Sequence, residues 1–189
     1  MSGYTLRSAR WLARDAMERL VAAGDHVIDA TMGNGHDTLY LCGLVGENGR
    51  VDAFDVQRQA IENTEQLLRE NGMEERASLH LAGHQRMREF VSGPVKAVMF
   101  NLGWLPGGDK SVTTHWETTE TALNAALSLL EPGGLCAVCV YPGHAAGEEE
   151  LEKIRLMLAE LRPQEFNVLE QSFLNAGPGA PVCFQIQKQ

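Results

Sequence analysis

Short apolar runs and amphipathic segments alternate along this chain until the last two runs, which have no helix between them, and few folds accommodate that order. His26–Ala30, Val51–Phe54, Ala77–Leu81, Val95–Phe100 and Leu135–Tyr141 have the length and side-chain content of buried strands. Between and before them the spacing predicts helices over 5–22, from about Asp37, over Arg58–Glu70, Glu117–Leu130 and Glu148–Leu161. In the first, Leu6, Ala9, Ala13, Ala16, Met17 and Leu20 recur at helical intervals. Asn71-Gly72 and Pro132-Gly133-Gly134 supply stop signals for the third and fourth. Strands that alternate with helices form a parallel sheet with helices on both faces. The final pair, Phe166–Gln171 and Val182–Gln187, is joined only by a Gly/Pro-rich loop and is expected as an antiparallel hairpin at the sheet edge.

That order predicts an α/β protein with a mostly parallel seven-stranded sheet. It is the Rossmann-like class I methyltransferase pattern rather than the dinucleotide-dehydrogenase one. At 189 residues, with 44% hydrophobic and 22% charged, the chain can bury a core but has no room for a second, substrate-binding domain. Residues 1–189 are therefore expected to form one domain. No apolar run approaches the roughly 18 residues needed to span a bilayer, and the N-terminus lacks a signal-peptide pattern. A cytoplasmic protein with no membrane partner is the expectation.

The cofactor expectation rests on Val27-Ile28-Asp29-Ala30-Thr31-Met32-Gly33-Asn34-Gly35-His36-Asp37-Thr38, which reads as strand, two-glycine turn and helix start. Glycine lets backbone approach a ligand, and the helix start offers unpaired N–H groups to a carboxylate or phosphate. Two details favour S-adenosylmethionine (SAM) over a dinucleotide. Thr38 stands where GxGxxG needs its third glycine, and Asp29 would repel a phosphate but attract the amino group of a methionine moiety. Asp55 follows the second strand about twenty residues on, where an acid accepts hydrogen bonds from ribose hydroxyls. Val56 and Gln57 follow it, and Gly83-His84-Gln85, after the third strand, falls where an adenine edge binds.

After the fourth strand comes Phe100-Asn101-Leu102-Gly103-Trp104-Leu105-Pro106-Gly107-Gly108-Asp109-Lys110. Ligands of open α/β sheets bind beyond the carboxyl ends of strands, so this segment is expected to face the transferable methyl. Amine and nucleobase N-methylases place Asn-Pro-Pro-Tyr or a relative here. The Asn and a backbone carbonyl accept hydrogen bonds from the target –NH₂, and the aromatic residue stacks on the base. Asn101 and Trp104 keep those two elements without the prolines. Positioning can supply about 7–11 kcal/mol of such a barrier, and stacking on Trp104 about 1–3 kcal/mol towards holding a base. His144, in Tyr141-Pro142-Gly143-His144, is placed to take a proton.

Two features speak about partners. Cys136 and Cys139 form a CxxC, but within a strand they point to opposite faces and cannot share a metal, so no metal is expected. The net charge of −9 opposes the basic footprint of a nucleic-acid binder. If RNA is bound, positive charge must be local, and Arg7, Arg10 and Arg14 on one helical face, or Arg86, Arg88 and Lys110, are the candidates.

On these residues the chain resembles the YtqB-like family of rRNA methylases, from about Leu12 to Lys188. Its characterised members (MnmM) methylate the aminomethyl group of 5-aminomethyl-2-thiouridine at the tRNA wobble position. The specific pieces are Asp29–Thr38, Phe54–Gln57, Gly83-His84, Phe100–Asp109, Glu117-Thr118-Thr119 and Tyr141–His144. The resemblance implies SAM contacts from Asn34, His36, Asp37, Thr38, Asp55, Gln57 and His84. It implies a substrate side from Asn101 to Lys110 (Trp104, Pro106, Gly108 and Asp109 included), with Thr114, Tyr141 and His144, a tRNA anticodon region as partner, and a homodimer. His36 and Lys110 depart from residues common there, and Ala180-Pro181 replaces a usual Pro-Pro.

Three readings stay open at this point: a tRNA-modifying N-methyltransferase, a SAM enzyme for another RNA or a small-molecule amine, and a SAM- or nucleotide-binding module without catalysis. The acidic net charge favours the small molecule, while Asn101 and Trp104 beside a complete cofactor loop oppose the binding module.

Overall fold

The computed structural model describes residues 8–104, 107, 113–143 and 145–189. Its elements run α1 (Ala9–Leu20), β1 (His26–Asp29), α2 (His36–Val45), β2 (Arg50–Asp55), α3 (Arg58–Glu70), β3 (Ala77–Leu81), α4 (Met87–Phe90), β4 (Val95–Leu102), α5 (Trp116–Leu129), β5 (Leu130–Val140), α6 (Ala145–Ala159), β6 (Phe166–Gln171) and β7 (Val182–Lys188). The strands form one seven-stranded sheet in the order β3-β2-β1-β4-β5-β7-β6. β1 to β5 are parallel, and β7 lies antiparallel between β5 and β6. The expected α/β sheet with its antiparallel C-terminal hairpin is therefore present.

Period-two alternation sends successive strand residues to opposite faces, and each face has its own helices. Val27, Val51, Ala97, Met99, Ala137 and Cys139 pack under α1, α2 and α3. Ile28, Phe54, Val98, Phe100, Cys136 and Val138 pack under α4, α5 and α6. Cys136 and Cys139 thus belong to different faces, and all four cysteines are free and buried. Among the described residues no cluster of His, Cys, Asp or Glu is arranged to hold a metal, and no helix is long and apolar enough to cross a membrane.

Two boundaries differ from expectation for physical reasons. α1 starts at Ala9, and of the expected 5–22 helix the residues before Ser8 lie outside the described ones. β5 starts at Leu130, five residues early: the register with β4 jumps between Val95↔Leu130 and Ala97↔Leu135. Pro132-Gly133-Gly134 is accommodated as an irregularity within the strand, with Gly133 at φ 80°. Between β3 and β4 the 3₁₀ segment His84–Arg86 and the four-residue α4 were not expected.

Candidate active site

β1 and β4 are neighbours in the sheet although β2 follows β1 in the chain, so connections leave in opposite directions at this point. A crevice opens there beyond the strands' carboxyl ends. It holds a cavity of about 670 Å³. The β1–α2 loop, the ends of β2 and β4, the turn after β3, the segment before α5 and Tyr141 after β5 line it, and Arg10 reaches in from α1.

The first end is built by the glycine turn. Gly33 and Gly35 both have positive φ, 53° and 81°, which side chains rarely tolerate. The backbone N–H of Gly33 donates to Asp55 Oδ2 at 3.1 Å, and that of Gln57 to Asp55 Oδ1 at 2.9 Å. A carboxylate has about four acceptor sites, so Asp55 keeps capacity for further donors. Burial raises its pKa against these hydrogen bonds. Val56 beside it is an exposed apolar side chain lining the cavity. His84 is buried at the wall, and burial lowers its pKa to about 4, which keeps the imidazole neutral.

Met32, Gly33, Asn34, His36, Asp37, Asp55, Val56, Gln57, Gly83, His84 and Asn101 all line this one cavity. Asp29, Gly35 and Thr38, expected beside the cofactor, do not. They form the layer behind the loop. Thr38 donates its hydroxyl to Asp29 Oδ2 at 2.7 Å and the Thr31 N–H donates to Oδ1 at 3.2 Å. Asp29 is fully buried, and burial together with the nearby Asp37 raises its pKa to about 7. Its carboxylate is thus sealed behind the loop and does not reach the cavity wall. Gly35 is glycine for packing: a Cβ there would lie 2.8 Å from Thr64 Oγ1 and 2.9 Å from Thr64 Cα on α3.

The second end surrounds Asn101. Its backbone N–H donates to Thr31 Oγ1 at 2.7 Å, and its Nδ2 donates to Asp37 Oδ2 at 2.9 Å. Asp37 is nearly buried and also takes Arg10 Nε at 2.9 Å and Arg14 Nε at 2.7 Å. A carboxylate can only accept, so the amide must turn its nitrogen to Asp37 and its oxygen elsewhere. Asn101 Oδ1 is buried without a hydrogen-bond partner. Trp104 and Thr114 line the same end, as does Tyr141, whose pKa burial raises to about 12. Pro106, Gly108, Asp109, Lys110 and His144 lie outside the described residues.

Arg10 and Arg14, candidates for an RNA-facing surface, turn inward to Asp37 instead. Arg86 is paired with Glu89 and Arg88 reaches Ser128, while Arg7 and Lys110 are not among the described residues. Sequence reasoning singled out the segments that carry Thr31 and Thr118 without giving either a role, and missed Thr113 and His115 on the cavity wall. It also missed Glu150, a buried acid on α6 that accepts the Thr114 hydroxyl at 2.8 Å. For Thr113 and His115 the signal was the polar run Thr113-Thr114-His115 ahead of a helix start.

A cradle of backbone at positive φ, an acid with spare acceptor capacity, an exposed apolar side chain and an unpartnered buried amide oxygen fit a nucleoside cofactor at one end and a donor-bearing substrate at the other. Comparison with known proteins points the same way. Residues 51–187 match the family described as "Putative rRNA methylase". The chain is 41% identical over 186 residues to a tRNA (mnm(5)s(2)U34)-methyltransferase, chloroplastic, of Arabidopsis thaliana, covering 93% of this chain and 68% of that one. A solved rRNA-methylase structure from Clostridium thermocellum superposes with a TM-score of 0.96 at 42% identity, covering 98% of this chain and 100% of that one. A methyltransferase of Streptococcus mutans in complex with SAH superposes with a TM-score of 0.89 at 35% identity, with the same coverage.

Proposed function

This chain belongs to the family described as "Putative rRNA methylase", and we propose that it is a SAM-dependent N-methyltransferase of RNA. Its acceptor is the aminomethyl group of 5-aminomethyl-2-thiouridine at the tRNA wobble position, as the name of the Arabidopsis relative suggests. The observation that carries this reading is the buried Asn101 oxygen, turned away from Asp37 and lacking a donor, on a residue that lines the cavity. An amine N–H is such a donor, and leaving the oxygen unmet in a buried place is costly.

Bound SAM would supply a methyl already activated on sulfur, whose S–C bond breaks toward sulfur as the acceptor nitrogen's lone pair forms the C–N bond. The chain's own residues bind and orient. Asp55 would accept the ribose hydroxyls, Val56 would cover one face of the adenine, and His84 and Gln57 would flank it. Met32, Gly33 and Asn34, with the start of α2 at His36 and Asp37, would hold the amino-acid tail. Asn101 would accept an N–H of the amine and so aim its lone pair, while the half-exposed Trp104 offers a face on which a splayed-out base can stack. Thr114 and Tyr141, with Pro106, Gly108, Asp109 and Lys110, complete the substrate side of this reading, and His144 takes the released proton.

The whole chain acts as one methyltransferase domain. Its four free cysteines suit a reducing compartment, and we place it in the cytoplasm with tRNA. A homodimer belongs to the same reading, since exposed Leu156, Val168 and Leu169 on α6 and the edge strand offer apolar surface to a second copy.

The test is nucleoside mass spectrometry of tRNA from a strain lacking the protein. The methylaminomethyl nucleoside should disappear and its aminomethyl precursor accumulate. An unchanged nucleoside pool would sink the tRNA assignment.

A further inference from the structure

We propose that the Thr113 hydroxyl is a second hydrogen-bond acceptor for the nucleophilic amine, and that with Asn101 it limits the enzyme to a primary amine and one methyl per nitrogen. This inference rests on the methyltransferase reading above. Among the described residues two buried side-chain polar atoms have no hydrogen-bond partner, Asn101 Oδ1 and Thr113 Oγ1. Both residues line the same cavity. Unmet buried polar atoms are rare because each forfeits its hydration. Two of them on one cavity wall point to a ligand that satisfies both.

The backbone brings Thr113 to the reaction end. It pairs with Trp104 in an isolated antiparallel bridge, and the Thr114 N–H donates to the Gly103 carbonyl at 3.1 Å. The segment before α5 is thereby pinned to the residues that follow Asn101. Thr114 differs in that its hydroxyl donates to Glu150, which also takes the Thr119 hydroxyl at 2.5 Å, so it is tied to α6 rather than left unmet.

A neutral primary amine has two N–H donors and one lone pair. Two oxygens that take both hydrogens leave the lone pair for the methyl carbon. The lone pair forms the C–N bond, the S–C electrons go to sulfur, and the secondary ammonium then gives one proton to His144, as in the reading above. The product amine has a single N–H. Bound again, it would leave one oxygen facing a methyl group, unmet once more, so a second transfer is disfavoured.

The test uses the full chain, SAM, and tRNA from a strain lacking the protein, and compares the wild type with Thr113→Val and Thr113→Ser. Valine keeps the shape and removes an unmet oxygen, so Tm should stay level or rise and SAM affinity should not change. The kcat/KM is expected to fall about tenfold, and dimethylated nucleoside should emerge by mass spectrometry. Serine should restore both rate and single methylation. Wild-type kcat/KM with monomethyl product alone in Thr113→Val overturns this inference and leaves the methyltransferase reading intact. A matching loss of Tm or SAM binding that serine does not restore assigns Thr113 a structural role and also overturns it. No transfer by the wild-type chain overturns the reading itself, and this inference with it.

Discussion

Asn101 Nδ2 donates to Asp37 Oδ2 at 2.9 Å, tying the end of β4 to the first turn of α2 across 64 positions of sequence. The bond has a direction. Because the carboxylate only accepts, the asparagine oxygen is turned away from Asp37, and because Arg10 and Arg14 hold the carboxylate, that orientation is fixed.

Removing the oxygen should separate chemistry from binding. Asn101→Ala is expected to lower kcat by about a hundredfold or more, the loss typical of one preorganised polar contact. Calorimetry should find SAM affinity within a few-fold of the wild type. Equal losses in both would place Asn101 in cofactor binding instead.

Removing the carboxylate should cost stability as well. Asp37→Ala leaves the Arg14 guanidinium, with 14% of its side chain exposed, without its anion. Breaking such a pair costs about 3–5 kcal/mol, measurable by denaturant unfolding. The kcat should fall further than that of a variant destabilised equally elsewhere, since the amide loses its tether.

Asp29 predicts a pH dependence. Burial, and then the Asp37 charge, raise its pKa from 3.8 to about 7. The unfolded chain therefore loses this proton first as pH rises, and the native state is penalised progressively between about pH 4 and pH 7. The contribution is fully favourable below that window and lost above it. Asp29→Asn should flatten the stability profile across the window and raise the unfolding midpoint at pH 8. An unchanged profile would show that Asp29 does not titrate there.

Asp52 predicts the opposite sign. Burial pushes its pKa up, but hydrogen bonds from His26 and His80, both at 2.6 Å, and the Arg50 charge outweigh that and hold it well below the carboxylate range. Its stabilisation is present above the unfolded pKa and is lost as pH falls below it. Asp52→Asn should raise the midpoint of acid unfolding, followed by circular dichroism, and weaken the protein at neutral pH.

Gly35→Ala should lower Tm and weaken SAM binding together. At φ 81° an L side chain is strained by about 1–3 kcal/mol. The new Cβ would also lie 2.9 Å from Thr64 Cα, which is backbone. Thr64→Ala is therefore not expected to rescue it. A rescue would place the conflict in the threonine side chain alone.

Some of this was legible in the chain and some was not, for reasons that lie in range. α3, β3 and β6 were read to the residue because their limits are set locally, as Asn71-Gly72 does for α3. β5 was read short because Pro132-Gly133-Gly134 is a turn signal to its neighbours, while the Val95↔Leu130 pairing on the far side of that irregularity lengthens the strand. The turn carrying Gly33 and Asp55 was visible as spacing. Spacing could not say which face of the loop looks at the cavity, so Asp29, Gly35 and Thr38 were assigned to the ligand although they support the loop from behind. Arg10, Thr113 and Glu150 escaped because each reaches the site from an element whose placement only the tertiary fold decides.

α1 rests on β5 and β7, with Gln185 of β7 donating to the Leu12 carbonyl, and from that seat sends Arg10 and Arg14 to Asp37. The guanidiniums that hold the Asp37 carboxylate thus take their footing from a strand 173 positions further along the chain. A change that loosens the pairing of β5 with β7 would therefore be felt at Asn101, through α1 and the Asp37 carboxylate.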